Sequence, residues 1–286
     1  MEVEEHQRSS LKKSKQNHMT GNKIRGYIRL FFVAIVTILA FITVYIVVII
    51  PGNRYKIRLK VRKLWSKAFI FILNYKIEVR GKFPTDRNYL FVGNHRSSLD
   101  PFVCLAYLEG NPVSRADVRN YPFLGKGAEI SGIIFVTKES KSSRSATKEA
   151  ISKALQEGKS IMIYPEGKTS SEPTTSTFQK GSFDIAAEFG IPIIPFALEY
   201  KSLDDYWDHT DTMAVHYFKN LAKARTYVRL SVGEVITGDN AFSLLRQSQQ
   251  WINDEIVNLR SDWGGLNHPK GKTAINQDES NQGSAA

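Results

Sequence analysis

The sequence contains a single cysteine, Cys104, among its 286 residues. One thiol cannot form an intramolecular disulfide, and it excludes the metal sites that are built from several cysteines. Cys104 lies in the apolar run Phe102-Val103-Cys104-Leu105, which is typical of a small buried hydrophobic residue and not of a nucleophile. No metal-ligand spacing links the histidines His6, His18, His209, His216 and His268. We therefore expect neither a metal nor another bound cofactor.

Signatures of three common functional classes are also missing. The chain has no Gly-x-Ser-x-Gly sequence, so the strand-to-helix turn of a serine hydrolase is not predicted. Gly167-Lys168-Thr169 resembles the end of a nucleotide-binding loop, but Met162 occupies the position that requires the first glycine. Zinc-finger spacing, an aromatic RNA-binding signature and a basic zipper are lacking, so we expect no nucleic-acid partner.

Acidic residues are few for the number of basic ones. The chain has 28 Asp and Glu against 39 Lys and Arg, which gives a formal net charge of +11. Such an excess indicates an anionic partner. Because the cations crowd around one apolar segment, an acidic membrane surface is favoured over nucleic acid. A hydrophobic share of 42% and a charged share of 23% are those of a folded protein.

The longest apolar run extends from Leu30 to Ile50 and contains no charge. It reaches the length of about 20 residues that a helix needs to cross a bilayer. Pro51-Gly52-Asn53 ends it, and no small-residue cleavage site follows. More cations follow the run than precede it, so a spanning helix would place the bulk of the protein in the cytoplasm. Positive charge on both flanks also allows a helix that folds back into one anionic leaflet.

Four regions follow from composition. Residues 1–22 are polar and are predicted to be disordered, residues 23–75 form membrane-anchoring helices, residues 76–263 form the folded domain, and residues 264–286 form a flexible tail. Tyr55 to Leu73 mixes cations with apolar residues, which predicts an interfacial helix whose cations meet lipid headgroups. The alternative is an ordinary basic helix packed on the domain.

Between these ends, strand-like and helix-like segments alternate. This alternation predicts the α/β class, as a single domain with a mixed sheet covered by helices. The predicted strands are residues 76–80, 89–92, 132–137, 160–164, 193–200 and 227–232. The predicted helices are residues 101–108, 143–157 and 181–189, and a last amphipathic helix that Asn240 caps.

The sequence Asn94-His95-Arg96-Ser97-Ser98-Leu99-Asp100 follows one of these predicted strands. An imidazole beside a carboxylate can take a proton from a hydroxyl near neutral pH. Five positions is the wrong spacing for one face of a helix, so His95 and Asp100 can meet only if the backbone turns between them. The alternative is structural, because Asp100-Pro101 is also a good helix start, with an N-cap acceptor before a proline.

Four segments at predicted strand ends or loops resemble the four blocks of the glycerolipid acyltransferases, the 1-acylglycerol-3-phosphate acyltransferase group. The segments are Asn94-His95 with Asp100, Gly132 to Lys138, Tyr164 to Ser170, and Ile191 to Pro195. Phe178-Gln179-Lys180-Gly181 also resembles the basic-glycine turn that follows the third block. The resemblance covers about Lys76 to Tyr200, most of the chain after the apolar run.

Acyl transfer from a thioester needs no nucleophile on the enzyme, because the acyl group is already activated. It needs a base for the attacking alcohol and donors for the oxyanion. The resemblance implies that His95 is this base and that Asp100 holds its tautomer. It also implies cations for a phosphate-bearing acceptor and a glycerol contact at Glu166. The residues that we assign to substrate binding are Asn94, Arg96, Lys138, Glu166, Gly167, Lys168 and Lys180.

Two positions depart from the pattern of the family. Its second block ends in arginine where this chain has Lys138, which supplies charge without a bidentate fork. Lys138 is alternatively a solvated residue at a strand end. The third block of the family continues with Thr-Arg-Ser after Glu-Gly, whereas this chain has Lys168-Thr169-Ser170. The cation is retained one position earlier, which leaves the acceptor headgroup open.

The resulting expectation is a membrane-bound enzyme with its catalytic domain on the cytoplasmic face. It would transfer an acyl group from acyl-CoA or acyl carrier protein to the sn-2 hydroxyl of lysophosphatidic acid, giving phosphatidic acid. Two alternatives stay open. One is the same chemistry on another lysophospholipid or a lyso-aminolipid. The other is a non-catalytic scaffold that binds acidic lipids through residues 54–67.

Overall fold

The computed structural model of the chain describes residues 2–49, 54–115, 132–136, 141–261 and 263. The predicted tail, residues 264–286, lies outside this set, as does Lys138. The helices are α1 (Glu2–Ile49), α2 (Arg54–Ile72), α3 (Asp100–Leu105), α4 (Lys141–Gln156), α5 (Gly181–Phe189), α6 (Met213–Ala222) and α7 (Ala241–Ser261). The strands are β1 (Tyr75–Arg80), β2 (Leu90–Gly93), β3 (Asn111–Arg115), β4 (Ile134–Val136), β5 (Ile161–Ile163), β6 (Ile193–Tyr200) and β7 (Thr226–Val232).

The strands form one seven-stranded sheet in the order β1-β7-β6-β2-β5-β3-β4. Neighbouring strands are parallel except for β6 and β7, which pair antiparallel. Leu90 of β2 pairs with Ile193 of β6 on one side and with Ile161 of β5 on the other. The predicted α/β class with a mixed sheet is therefore confirmed. β2 lies at the centre of the sheet, so the loop that follows it leaves from the middle of one edge.

Helices cover both faces of this sheet. Successive side chains of a strand point to opposite faces, so Phe91 packs into a core with residues of α2 and α3, while Leu90 and Val92 pack against α4, α5 and α7. The first core includes Phe69 and Val103, and the second includes Leu155, Phe183, Ile252 and Ile256. Residues of β2 belong to both cores, which gives the loop that follows β2 a rigid base.

The first two helices pack against each other and against the domain. The indole of Trp65 donates to the hydroxyl of Thr37 at 3.0 Å, which joins the middle of α2 to α1. Nearer its start, α1 contacts α6: the Arg29 guanidinium donates to the carbonyl of Leu221 at 3.1 Å, and the Tyr27 and Phe218 rings lie 5.1 Å apart. The apolar part of α1 is thus tied to the domain at two points along its length.

Residues 1–22 were predicted to be disordered, whereas the structure describes residues 2–22 as the first part of α1. The segment is rich in Glu, Lys, Gln and Ser and has no proline. Extending an existing helix adds one hydrogen bond for each residue that is fixed and avoids the cost of nucleation. The polar composition that indicated disorder is equally compatible with a solvated helix.

The basic helix α2 is packed on the domain along one face. Its buried residues are Leu59, Arg62, Ser66, Phe69 and Ile70. Phe69 stacks on Phe102 of α3 with ring centroids 4.3 Å apart. Lys56 and Lys60 remain exposed on the other side. The structure therefore combines the two interpretations of this segment: a packed face towards the core and a basic face away from it.

Candidate active site

The chain turns sharply after β2, and the turn brings His95 and Asp100 together. The distance from His95 Nδ1 to Asp100 Oδ2 is 2.8 Å. Gly93 precedes the turn at a position where a Cβ atom would lie 2.1 Å from the Phe196 ring, so no larger residue fits. The Asp100 side chain is fully buried, whereas that of His95 is 19% exposed. The arrangement places a carboxylate inside the domain and the imidazole at its surface.

The carboxylate of Asp100 is held by four donors. Besides His95, the backbone N–H groups of Arg96 and Ser97 donate to Oδ2 at 2.6 and 2.9 Å. The Tyr200 hydroxyl donates to Oδ1 at 2.7 Å. A carboxylate offers about four lone-pair sites, so these bonds fix its position.

The structure contradicts the helix-cap interpretation of Asp100. Helix α3 begins at Asp100 itself, Leu99 occupies the cap position, and no side chain caps the helix. The carboxylate turns back to the N–H groups of the preceding turn instead. Asp100 therefore organises the loop that carries His95 and does not cap the helix that follows it.

The His95 ring is immobilised from several directions. It stacks on the Tyr164 ring with centroids 4.2 Å apart and an interplanar angle of 12°. The His95 backbone N–H donates to Glu166 Oε1 at 2.9 Å, and its carbonyl accepts from the N–H of Ser170 at 2.9 Å. An ionised Asp100 takes the Nδ1 proton as its hydrogen-bond donor, which leaves Nε2 as the lone-pair nitrogen. The ring thus presents a base at a fixed position.

The Glu166 carboxylate, which was predicted to contact glycerol hydroxyls, is bonded to groups of the protein in this structure. One carboxylate oxygen accepts from the His95 N–H, and the other accepts from the N–H and the hydroxyl of Ser176 at 2.8 and 2.9 Å. The side chain is only 6% exposed. A buried carboxylate must find donors nearby, and Glu166 finds them in the protein. Its role is to join the loop after β2 to the loop after β5.

Asn94 and Arg96, which the sequence also assigned to substrate, are buried at 0% and 1% exposure. The Asn94 carboxamide pairs with the backbone of Leu198 in β6, accepting from its N–H and donating to its carbonyl, both at 2.8 Å. The Arg96 guanidinium donates to the carbonyls of Ser170 and Glu172 at 3.0 and 2.6 Å. Both side chains are structural because their polar groups fasten the loop to its neighbours.

The remaining predicted binding residues lie on exposed turns. Gly167 has a φ of +71°, a left-handed conformation that glycine adopts without strain, and its N–H donates to the Tyr164 carbonyl at 2.9 Å. This turn presents the exposed side chain of Lys168. Lys180 is also exposed, at the start of α5, and forms an ion pair with Asp184 at 3.0 Å. Of the predicted cations, Lys168 therefore lies in the loop joined to His95, and Lys180 is already paired.

Several residues that support the site were not predicted from sequence. Tyr200 ends β6 and donates to Asp100, and Tyr164 directly follows β5 and stacks on the His95 ring. Glu199, fully buried, forms ion pairs with Arg96 at 3.5 Å and with Arg260 of α7 at 2.8 Å. All three precede turns at the carboxyl ends of strands, the signal that could have indicated them.

A second histidine lies close to this loop but has no carboxylate partner among the described residues. His216 Nε2 is 3.0 Å from the Ser97 hydroxyl and 3.3 Å from the amide nitrogen of Asn220. Burial, with a smaller contribution from the nearby Lys223, lowers the pKa of His216 to about 4. It is therefore neutral at physiological pH and holds the Ser97 side of the loop without adding charge.

The chain that forms this site is similar to known proteins. Residues 76–199 match the family model described as Acyltransferase. The 1-acyl-sn-glycerol-3-phosphate acyltransferase of Borreliella burgdorferi is 31% identical over 137 residues, which are 46% of this chain and 54% of that protein. The lyso-ornithine lipid O-acyltransferase of Pseudomonas aeruginosa is 28% identical over 204 residues, which are 68% of this chain and 78% of that protein. The chain thus spans about half the length of the Borreliella protein.

The fold also matches a solved structure. The 1-acyl-sn-glycerophosphate (LPA) acyltransferase PlsC from Thermotoga maritima superposes with a TM-score of 0.66, covering 85% of this chain and 97% of that one at 19% identity. At that identity the likeness concerns the fold alone. The matched segment, residues 76–199, contains the dyad loop and the Glu166 loop. Residues 76–199 therefore match the Acyltransferase family, and the similar proteins named above are acyltransferases of lysolipids.

Proposed function

We propose that this protein is a membrane-bound O-acyltransferase that acylates the sn-2 hydroxyl of a 1-acylglycerol-3-phosphate to give phosphatidic acid. The donor is an acyl thioester of coenzyme A or of acyl carrier protein. The observation that carries the proposal is the buried Asp100, 2.8 Å from Nδ1 of a surface imidazole whose other nitrogen is left as a base. The relatives named above support the acceptor class, because the Borreliella protein bears the name of this activity.

The dyad supports a direct transfer in which no covalent enzyme intermediate forms. His95 Nε2 takes the proton of the acceptor hydroxyl as its oxygen attacks the thioester carbonyl, forming the new C–O bond. Collapse of the tetrahedral intermediate breaks the C–S bond, and the leaving thiolate receives the proton from the imidazolium. Asp100 keeps Nδ1 protonated and stabilises the transient positive charge of the ring, as the acid of a catalytic triad does.

The single thiol of the described residues does not compete for the acyl group. Cys104 is fully buried in the core beneath the loop. Burial raises the pKa of its thiol far above the usual range, so the nucleophilic thiolate does not form at neutral pH. Direct attack by the acceptor hydroxyl is therefore the route that the site supports.

The membrane attachment that we propose uses α1 lying along the surface of one leaflet. Asn22–Val47 is long and apolar enough to span a bilayer, and only 11% of its most apolar 18-residue stretch is buried by the rest of the protein. Its contacts with α6 through Arg29 and with α2 through Thr37 hold it along the domain. If α1 spanned the bilayer while keeping both contacts, it would draw part of the domain into the bilayer. The exposed apolar side chains of α1 instead suit insertion into one leaflet.

The acceptor headgroup has a specific alternative. The Pseudomonas aeruginosa relative is named a lyso-ornithine lipid O-acyltransferase, and it aligns over 68% of this chain. The family has an arginine one position after Lys168. The exposed cation of the Gly167 turn therefore differs from the family's in both position and residue type. A lyso-aminolipid is therefore the second candidate acceptor.

An acceptor panel tests the proposal. The full chain, purified in a nonionic detergent, would be given labelled acyl-CoA or acyl-carrier-protein with lysophosphatidic acid, lysophosphatidylcholine or lyso-ornithine lipid. We expect turnover of lysophosphatidic acid to exceed that of the others by about tenfold, because the phosphate monoester carries the charge that a cationic loop selects. Preferred turnover of lyso-ornithine lipid would assign the alternative acceptor. Binding to acidic vesicles without turnover of any acceptor would instead support a scaffold.

Replacing Lys168 by glutamine is expected to raise KM for lysophosphatidic acid about fivefold while kcat changes little. An exposed charge pair contributes about 1 kcal/mol, which corresponds to about a fivefold change in affinity. Steady-state kinetics at fixed ionic strength measure the effect, which should shrink at high salt. Lys82→Gln is the matched control, because Lys82 is also exposed but follows β1, outside the dyad and Glu166 loops. An equal rise of KM in both variants would contradict the assignment.

A further inference from the structure

A second concave site lies away from the dyad, between α2, α4 and the starts of three strands. It is a cavity of about 330 Å³, a size at the lower end of ligand pockets. Its lining combines basic, aromatic and aliphatic side chains. The residues that matter for its chemistry are Tyr55, Arg58, Leu59, Asn111, Lys153 and Lys159.

This cavity and the dyad occupy opposite edges of the sheet. Asn111 and Ile134, which line the cavity, are the first residues of β3 and β4, and Lys159 shortly precedes β5. These strands run parallel to β2 or to its parallel neighbours, so their starts share one edge. His95 follows the carboxyl end of β2 and so stands at the other edge. The cavity is therefore separate from the acyl-transfer site.

The charges of the cavity favour an anion. Arg58, Lys153 and Lys159 stand against one carboxylate, Glu157, which is paired with Lys159. The Nε atom of Arg58 is buried and has no hydrogen-bond partner. The ammonium of Lys159 also lies 5.7 Å from the centre of the Tyr55 ring. A buried donor without an acceptor is unfavourable, and an anionic ligand would satisfy it.

The wall of the cavity is preformed. The Asn111 amide donates to the Tyr55 hydroxyl at 3.1 Å and accepts from the Arg62 guanidinium at 3.2 Å. Gly132 lies beside this amide with a φ of +86°, and a Cβ atom there would be 2.8 Å from the Asn111 side-chain oxygen. These bonds set the shape of the site before any ligand arrives, which lowers the entropic cost of binding.

The position of the cavity relates it to the apolar surface of α1. Because α1 ends at Ile49, α2 begins at Arg54 and the two helices pack together, they run antiparallel. The first turns of α2, with Tyr55 and Arg58, thus lie beside the last turns of α1, where Tyr45 and Ile46 are 68% and 49% exposed. Aliphatic side chains also line the cavity: Leu59, Ile133, Ile134, Ala150 and Ala154.

We propose that this cavity binds the phosphate group of an anionic glycerophospholipid, whose acyl chains follow the exposed face of α1 into the bilayer. The inference rests on the membrane association within the proposed function, and it adds a lipid site distinct from the acceptor site. Cations alone would accept any phosphate ester. The aliphatic half of the lining and the adjacent apolar helix favour a phosphate ester that carries hydrocarbon chains, because contact between these chains and the apolar side chains removes both from water.

The test is lipid retention, which requires no turnover and so is independent of the acyl-transfer proposal. The full chain in a nonionic detergent is incubated with phosphatidylglycerol or phosphatidylcholine, and bound lipid is counted by native mass spectrometry. We expect one phosphatidylglycerol for each chain. In the triple variant Arg58→Gln, Lys153→Gln, Lys159→Gln, the apparent Kd should rise by at least about tenfold. The matched control removes three exposed cations outside the cavity: Lys76→Gln, Lys82→Gln, Arg246→Gln.

Each outcome decides the proposal. Weakened retention in the cavity variant, with retention in the control like that of the parent, supports it. Equal losses of lipid retention in the cavity variant and the control would show that only the net charge of the chain matters. Retention of phosphatidylcholine equal to that of phosphatidylglycerol would show that the cavity cations do not select the lipid. Either result overturns the site. Binding of glycerol 3-phosphate as tightly as of phosphatidylglycerol would assign the cavity to a soluble phosphate ester and overturn the lipid. Thermal unfolding of both variants without lipid verifies that they fold.

Discussion

The His95→Ala variant is expected to lose between about 100-fold and 10,000-fold in kcat for acyl transfer, the range that a positioned general base supplies. The imidazole is the group of the dyad that reaches the surface, and its Nδ1 is already engaged by Asp100 at 2.8 Å. Removing the ring leaves the acceptor hydroxyl without a base. KM for lysophosphatidic acid should change little, because this ring acts on the proton and not on the phosphate. Initial rates with labelled acyl-CoA measure both constants.

The stability of the same variant is the control. His95 packs on Tyr164 at the surface, so its loss should change the thermal midpoint by a few degrees at most. The double variant with Asp100→Asn should be about as slow as the slower single variant, since two residues that act as one unit are not additive. Full activity of a folded His95→Ala variant would rule out the dyad.

Element types were predictable where the apolar pattern was strong. The predicted helix over residues 181–189 coincides with α5, and the predicted strand over 193–200 coincides with β6. Strand β3 was not predicted, because Pro112 and polar neighbours obscure any alternation in five residues. Helix α6 was also missed, although the Thr212 hydroxyl accepts from the Val215 N–H as an N-cap does. Short elements depend on tertiary packing, which the local sequence does not contain.

The dyad was predictable because it needs only a histidine and a carboxylate at a spacing that a turn can bring together. The roles of the neighbouring polar residues could not be predicted in this way. Asn94, Arg96 and Glu166 resemble substrate contacts in a linear motif, but a sequence does not show which side of a loop is buried. The structure turns all three inward, where they bind backbone groups of β6 and of the loop after β5. These contacts within the protein fix the position of His95.

This division of roles gives the polar network around the dyad a common purpose. Arg96 and Glu199 are buried together, and Arg260 of α7 forms a second ion pair with Glu199. Breaking a buried ion pair on one side leaves an uncompensated charge. The loop is thus held by contacts from β6, from α7 and from the turn after β5. Such support keeps a surface imidazole in one orientation, which general-base catalysis requires.

The Asp100→Asn variant is expected to lose both activity and stability. Its activity should fall by about 1,000-fold or more, because the amide that replaces the carboxylate can donate to Nδ1 and favour the wrong tautomer, with the proton on Nε2. Its unfolding free energy should fall by about 2–4 kcal/mol, because the buried backbone N–H groups of Arg96 and Ser97 then face an amide nitrogen that cannot accept their hydrogen bonds. Steady-state kinetics and urea unfolding measure the two losses.

Tyr200→Phe separates these two effects. It removes one donor to Oδ1 and leaves the bonds of Oδ2 to His95, Arg96 and Ser97 intact. We therefore expect a loss of about tenfold in kcat and of about 1 kcal/mol in stability. Because Tyr200 is fully buried among apolar residues, phenylalanine fits the same space. If Asp100→Asn proved no slower than Tyr200→Phe, the carboxylate would serve only to shape the loop, and the tautomer argument would be wrong.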